Sequence, residues 1–185
     1  MSIFDKRINY KPFEYPEVLD FIDLMNKTFW VHSEVDFTAD IQDYKTNLSE
    51  VKQIITKRSI LSISQTEVIV KPFWGDLYKH FPKPELNGLG VSLAESEFRH
   101  SEAYSRILSV LDLEDEFINA LESKPFKDYY EFVNNYMSSD DIASKSTFFA
   151  LVIENGSLFS KFANVLANTR FDGTMKNTSN MIAWT

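Results

Sequence analysis

Apolar residues recur at helical spacing along most of this chain, and that pattern restricts its fold more than any other feature of the sequence. Three long segments show the pattern: Pro16 to Phe29, Leu48 to Val70, and Leu86 to Leu111. In each of them the apolar side chains fall three or four residues apart, which places them on one face of an α-helix. The sequence therefore predicts an all-α fold, in a single domain over residues 1–185.

Shorter apolar-periodic segments cover residues 115–122 and 126–137. After them, residues 139–141 (Ser-Asp-Asp) offer N-caps for a final long helix that runs through Phe162. Residues 32–44 show no helical face, so no helix is predicted there.

Some helix boundaries stay open at this level. Pro72 predicts a kink or an end to the second long segment, because proline lacks the backbone N–H that a helix uses. Gly88 and Gly90 leave the start of the third segment undecided. Residues 55–70 are rich in β-branched side chains, so a strand is an alternative to a helix there.

The amino-acid composition limits the kinds of fold, metal site and ligand that this chain can have. Sixteen phenylalanines and only five glycines favour long helices around an aromatic core. The absence of cysteine excludes disulfides and thiolate metal sites, so a metal would need carboxylates and histidines. A net charge of −8 argues against nucleic acid as the principal ligand. No apolar run approaches the roughly 18 residues of a membrane span, and no basic segment precedes an apolar one at the N-terminus, so we expect a cytoplasmic protein.

The third helical segment carries a pattern with chemical meaning. Glu97 and His100 form a Glu-x-x-His pair, and the spacing of three residues puts both side chains on the same face of a helix. Carboxylate-bridged di-iron bundles use one such pair from each of two helices and one carboxylate from each of two others. An exposed, salt-bridging helix face is the alternative interpretation.

Two further acids lie in apolar stretches of other helices, where an unpaired charge is expensive to bury. Glu67 shares a helix face with Ile60 and Ile63. Glu154 shares one, at ideal helical spacing, with three apolar residues: Leu151, Leu158 and Phe162. Either acid could instead face solvent or pair with an arginine. Taken with the Glu-x-x-His pair, they supply three carboxylates and one histidine.

These motifs resemble those of a known family. Residues 97–104, Glu-Phe-Arg-His-Ser-Glu-Ala-Tyr, are similar to the Glu-x-x-His-x-x-x-Tyr signature of the small, radical-generating subunit of class I ribonucleotide reductase. Residues 29–36, Phe-Trp-Val-His-Ser-Glu-Val-Asp, resemble the family's Phe-Trp-x-x-x-Glu-Val-Asp. Glu67 and Glu154 fall where the family has its first carboxylate and the lone acid of its second half. The likeness covers about residues 17–185.

The resemblance implies a ferritin-like helical bundle that uses a dinuclear metal centre and dioxygen to generate a tyrosyl radical, which the large subunit needs to reduce ribonucleotides. It also implies a role for each matching residue: Glu67, Glu97, His100 and Glu154 as metal ligands, Tyr104 as the radical, Trp30 in electron transfer, and Leu158 and Phe162 as the wall of the radical pocket. Many family members have Asp at the first position, and Glu occurs in some subgroups, including ones that use manganese with iron. An Fe/Fe pair is expected first, with Mn/Fe and Mn/Mn left open.

This sequence departs from the family's pattern in that the family's second Glu-x-x-His motif is not among residues 1–185. The family's second Glu-x-x-His projects just past Thr185, so we expect two ligands and the large-subunit docking tail to lie outside this sequence. The expected partners are a complementing polypeptide of a divided small subunit, the large subunit and a second small subunit. A truncated sequence is the alternative to a divided subunit. Two other function classes also stay open: a different ferritin-like dimetal oxidase or hydroxylase, and a non-catalytic helical scaffold.

Overall fold

The structure, a computed structural model, describes residues 2–185 and contains helices but no strand within that range. Its α-helices are α1 Glu17–Lys27, α2 Thr38–Gln42, α3 Glu50–Gly75, α4 Leu77–His80, α5 Pro84–Val110, α6 Glu114–Ala120, α7 Lys124–Met137, α8 Ile142–Phe148, α9 Phe159–Ala167 and α10 Lys176–Trp184. A 3-10 turn covers His32–Glu34, and π-helical segments cover Asp43–Asn47, Phe149–Leu158 and Asn168–Asp172. The prediction of an all-α, ferritin-like bundle is confirmed.

The two longest helices, α3 and α5, pack against each other at the centre of the molecule. α9 lies against α3, and α1 lies against α5. Residues from α3, α5, α9, α10 and the stretch 30–48 form the main apolar core. A second apolar cluster joins the C-terminal part of α3 to α7 and to the region around Phe149.

The N-terminal segment is fixed to the start of α5 by a buried ionic network. The Arg7 guanidinium contacts the Glu85 carboxylate and donates to the backbone oxygens of Asn9 and Pro12, at 2.9 Å each. The other oxygen of Glu85 accepts from the backbone N–H of Glu14 at 3.0 Å. Because these partners satisfy both ions, the pair can be buried without an uncompensated charge.

Residues 55–70 are helical, so the strand alternative is wrong. α3 continues through Pro72 and ends three residues later at Gly75, and the carbonyl of Pro72 still accepts from the N–H of Asp76 at 3.0 Å. α5 begins at Pro84, before both glycines, because proline suits a first helical turn.

The expectation of no helix in residues 32–44 is wrong, because α2 lies there. Its first turn is held by Asp36, whose carboxylate accepts from the N–H of Thr38 at 2.9 Å. Asp40 is buried and accepts from the N–H of Asn177 at 3.3 Å, at the start of α10. The stability of α2 therefore depends on its contact with α10. Local periodicity does not reveal this contact, and α10 was not predicted from the sequence.

The predicted final long helix is present as one helical run from α8 to residue 172, and Asp141 caps it by accepting from the N–H of Ala143 at 3.0 Å. Residues 149–158 of this run form wider, π-helical turns, which shift the side chains around the axis. Leu151 is 64% exposed for this reason, whereas Leu158 is buried. The prediction that Leu151 shares a face with Glu154 is wrong. Within the described range, no helix combines the length and the apolar character needed to cross a membrane.

Candidate metal centre

The structure brings together three of the four predicted ligands. Glu67 projects from α3, and Glu97 and His100 project from adjacent turns of α5. One carboxylate oxygen from each acid and one imidazole nitrogen lie within 4.8 Å of one another, and all three residues are buried. The packing of α3 on α5 creates the cluster, since each helix alone supplies only part of it.

The imidazole of His100 presents its Nδ1 to the acids. Nδ1 lies 3.3 Å from Oε2 of Glu97 and 3.8 Å from Oε2 of Glu67. On the opposite side of the ring, Nε2 lies 3.3 Å from the hydroxyl of Ser96. A partner on the second ring nitrogen fixes the orientation of a ligand histidine, and Ser96 fills that position here.

The acids of the cluster are held in an environment that disfavours their charge. Burial, together with the negative charges of Glu97 and Glu154, raises the pKa of Glu67 well above its usual range. Oε2 of Glu67 is buried and has no hydrogen-bond partner among the described residues. A buried oxygen without a partner is costly, and a cation would satisfy it. Carboxylate oxygens and an imidazole nitrogen are donors that iron and manganese accept, so the residues fit the metals that the family implies.

Glu154 lies on the π-helical segment and lines the same cavity, of about 300 Å³, as the three clustered residues. Burial, followed by the negative charge of Glu97, raises the pKa of Glu154 to about 7. Leu158, Phe162 and Ile182 contribute apolar walls to this cavity. The two predicted pocket residues therefore lie beside the acids.

Tyr104 and Trp30 are both buried next to this cluster. Tyr104 is 1% exposed, and its hydroxyl lies 3.3 Å from Oγ1 of Thr185. Burial, and then the charge of Glu67, raises the pKa of the Tyr104 phenol well above its usual range. The Trp30 ring stacks on the His100 imidazole, with centroids 6.1 Å apart, and its indole N–H donates to the carbonyl oxygen of Trp184 at 3.1 Å.

Sequence reasoning missed three contributors to this region. Ser96 lies one turn before His100, and the spacing of four residues could have indicated it. Thr185 and Trp184 gave no signal, because their places depend on how α10 packs.

Comparisons with known proteins found a matching family. The family model described as "Ribonucleotide reductase, small chain" matches residues 7–185. A protein of Invertebrate iridescent virus 3, named "Probable ribonucleoside-diphosphate reductase small subunit", is 29% identical in an alignment of 198 positions that covers 96% of this chain and 52% of that protein. The chain spans about half the length of the curated relatives it matches.

Solved structures share the fold at low sequence identity. The dimanganese(II) NrdF of Streptococcus sanguinis superposes with a TM-score of 0.84 at 17% identity, covering 98% of this chain and 65% of that one. An R2-like ligand-binding oxidase with a Mn/Fe cofactor superposes with a TM-score of 0.75 at 15% identity, covering 96% of this chain and 69% of that one.

Proposed function

The chain belongs to the ribonucleotide reductase small-chain family, and we propose that it acts as part of the small subunit of a class I enzyme. In this proposal the subunit holds a dinuclear metal centre and a tyrosyl radical on Tyr104, and the large subunit uses that radical to reduce ribonucleotides. The supporting observation is the convergence of Glu67, Glu97 and His100 within 4.8 Å, with buried Tyr104 one turn further along α5.

The metal ligands in this proposal are Glu67, Glu97, His100 and Glu154. Three carboxylates and one imidazole are too few protein ligands for two cations, and di-iron bundles add a second Glu-x-x-His from another helix. We propose that a complementing segment of small-subunit polypeptide supplies it. The expected metal pair is Fe/Fe, with Mn/Fe and Mn/Mn as alternatives. When bound, the pair would supply the dioxygen-dependent redox chemistry that oxidises Tyr104.

The chain's own residues would protect and connect the radical. Leu158 and Phe162 keep the cavity beside the cluster apolar, which limits the access of water and reductants. Burial raises the pKa of the Tyr104 phenol and so disfavours the phenolate; the neutral phenol must therefore release its proton when an electron leaves. Trp30 places an oxidisable ring against the ligand His100, as an electron path requires.

The partners in this proposal are the large subunit and a second small subunit, in the cytoplasm. Neither nucleic acid nor a membrane has a part in it.

The test compares Tyr104→Phe with the unsubstituted protein in the metal-loaded complex after exposure to dioxygen. The substitution removes only a hydroxyl and keeps the ring, so packing is retained. We expect the tyrosyl signal in electron paramagnetic resonance and the reduction of ribonucleotides both to disappear. Tyr44→Phe, a half-buried tyrosine packed on the same core, is the matched control and should keep both. If Tyr104→Phe retains the signal and the activity, the radical is elsewhere.

A second candidate is a dimetal oxidase that acts on an apolar small molecule. The cavity of about 300 Å³ beside the acids favours it, since that volume is in the range of small-ligand sites. The same complex distinguishes the two candidates. An oxidase would consume dioxygen with an apolar substrate and support no ribonucleotide reduction when the large subunit is added.

A further inference from the structure

Two arginines of α5 bind the irregular segment of residues 29–37, which carries Trp30. Arg99 and Arg106 are seven residues apart, so both project from the same side of the helix. The Arg99 guanidinium donates from Nη1 to the backbone oxygen of Trp30 at 3.1 Å, and the Arg106 guanidinium donates from Nη1 to the backbone oxygen of His32. The 3-10 turn of the segment also lies against α5. The segment is therefore attached to α5 at two backbone oxygens.

Each guanidinium also lies over an aromatic ring of the segment. Arg99 is 4.3 Å from the centre of the Phe29 ring, and Arg106 is 5.2 Å from the centre of the Phe37 ring. Both distances are within the range of cation–π attraction. A planar guanidinium can stack on a ring and donate hydrogen bonds from its edge, which the compact ammonium of lysine cannot do in the same way. Both arginines thus bind the segment through a backbone oxygen and a ring.

An ion pair on the surface does not account for the place of Arg99. Its Nε donates to both carboxylate oxygens of Glu95 at 3.0 Å, but the Glu95 side chain is 49% exposed, whereas that of Arg99 is 10% exposed. An ion pair with an exposed partner contributes little to stability. The bond to the Trp30 oxygen uses a different nitrogen, Nη1. The contact with the segment is therefore separate from the pair with Glu95.

The attachment bears directly on where the Trp30 ring lies. The ring stacks on the imidazole of His100, the residue that follows Arg99 on α5, and its indole N–H donates to the carbonyl oxygen of Trp184. Trp30 is 6% exposed, and Arg99 fixes its backbone beside the stacked ring. A hydrogen bond from a charged donor is stronger than one between neutral groups. Loss of the Arg99 bond would therefore let the Trp30 ring leave His100 more often.

We propose that Arg99 and Arg106 are positioning residues that hold the Trp30 ring against His100. The inference rests on the proposed function for the role of Trp30 in electron transfer, whereas the attachment itself needs no metal. In that role Trp30 would give one electron to the oxidised centre and take one back from a soluble one-electron reductant. Electron transfer slows steeply with distance, so a ring that leaves His100 more often passes electrons more slowly.

The test measures hydrogen exchange of the indole N–H groups by nuclear magnetic resonance in the full, metal-free chain. The three tryptophans give three indole signals, which Trp→Phe variants assign. Arg99→Met keeps an aliphatic stem and removes the donor. We expect the indole N–H of Trp30 to exchange about tenfold faster, the change that corresponds to about 1.4 kcal/mol. Arg106→Met should act in the same direction, and it replaces Arg99→Met if circular dichroism shows that variant to be misfolded.

The indole N–H of Trp74 is the internal reference, since it is buried beside the second apolar cluster. A general loss of stability would speed exchange at both tryptophans, whereas loss of the attachment speeds it at Trp30 alone. Arg58→Met makes the same substitution at an exposed position of α3, and it should leave both rates unchanged. Equal acceleration at both tryptophans, or none at Trp30, overturns the inference.

A second measurement separates this inference from the proposed function. In the metal-loaded complex, Arg99→Met should slow the appearance of the tyrosyl signal after exposure to dioxygen, at unchanged metal content. An unchanged rate would overturn the role of Arg99 in the electron path. If the unsubstituted complex gives no tyrosyl signal, the proposed function fails, and the exchange rate of the Trp30 indole still decides whether the arginines position that residue.

Discussion

The surroundings of Glu154 make it costly for the side-chain carboxyl group to ionise. Its pKa lies at about 7, against an ordinary value of 4.5, because burial and the charge of Glu97 both oppose the carboxylate. Glu67 is shifted in the same direction for the same reasons. Because the pKa of such a residue differs between the folded and the unfolded chain, the free energy of unfolding depends on pH.

The first prediction concerns the metal-free protein. Below about pH 4.5 Glu154 is protonated in both the folded and the unfolded chain, so it costs nothing. As the pH rises from 4.5 to about 7, Glu154 ionises in the unfolded chain but stays protonated in the folded one, so the free energy of unfolding falls. Above about pH 7 Glu154 is ionised in both states, and the loss of stability is constant. We expect Glu154→Gln to raise the free energy of unfolding by roughly 1–3 kcal/mol at about pH 8, and to change it little at about pH 4.5.

Urea denaturation in the presence of a chelator, at both pH values, measures this difference. Glu17→Gln, at an exposed position in the first turn of α1, is the control and should show no such dependence. A Glu154→Gln effect of the same size at both pH values would show that packing rather than ionisation is responsible.

At the scale of helices, the close approach of α5 to the ends of α3 and α4 depends on Gly90. A Cβ atom at this position would lie 2.8 Å from the backbone oxygen of Trp74 and 3.0 Å from Cβ of Leu77. The first distance is shorter than real Cβ atoms show, and the backbone of Trp74 cannot move without moving the end of α3. This crossing aligns the helices that carry Glu67, Glu97 and His100.

We therefore expect Gly90→Ala to lower the free energy of unfolding by roughly 1–3 kcal/mol, as overpacking does. Gly75→Ala is a matched control in a neighbouring helix, because a Cβ there would meet only Cβ of Ala94 at 3.9 Å, an ordinary contact. It should be neutral or stabilise by up to about 1 kcal/mol, since alanine favours helix more than glycine does. Chemical denaturation measures the free energy of unfolding of both variants. Equal changes in the two variants would contradict the role given to Gly90.

At the scale of the molecule, the helices bring fewer metal-ligating side chains to one cavity than the proposed dinuclear centre needs. The cluster and Glu154 together provide three carboxylates and one imidazole. We expect this chain by itself to retain fewer than two Mn(II) ions after gel filtration, as measured by metal analysis. Addition of a polypeptide that carries a second Glu-x-x-His should raise the content to two.

Tight binding of two ions by the chain alone would mean that further ligands exist. The remaining histidines, His32 and His80, are then the residues to substitute first. His32 lies 3.9 Å from Glu102 at a partly exposed position, outside the described cluster.

The sequence by itself determined which side chains share a helix face. Glu97 with His100, and Glu67 with Ile60 and Ile63, follow from intervals of three, four and seven residues, which any regular α-helix converts into a common side. The same rule failed for Leu151 beside Glu154, because the π-helical turns of residues 149–158 change the interval. The spacing of apolar residues in this segment did not indicate the wider turns.

Only the tertiary structure decided which faces meet. The distance between Glu67 and His100 depends on the crossing of α3 and α5, and that of Lys161 from Thr66 depends on how α9 lies on α3. Asp40 holds the start of α10 across more than a hundred residues of sequence. Periodicity describes one helix at a time, whereas these contacts arise from close packing between helices, where side-chain shape and the space at positions such as Gly90 select one arrangement.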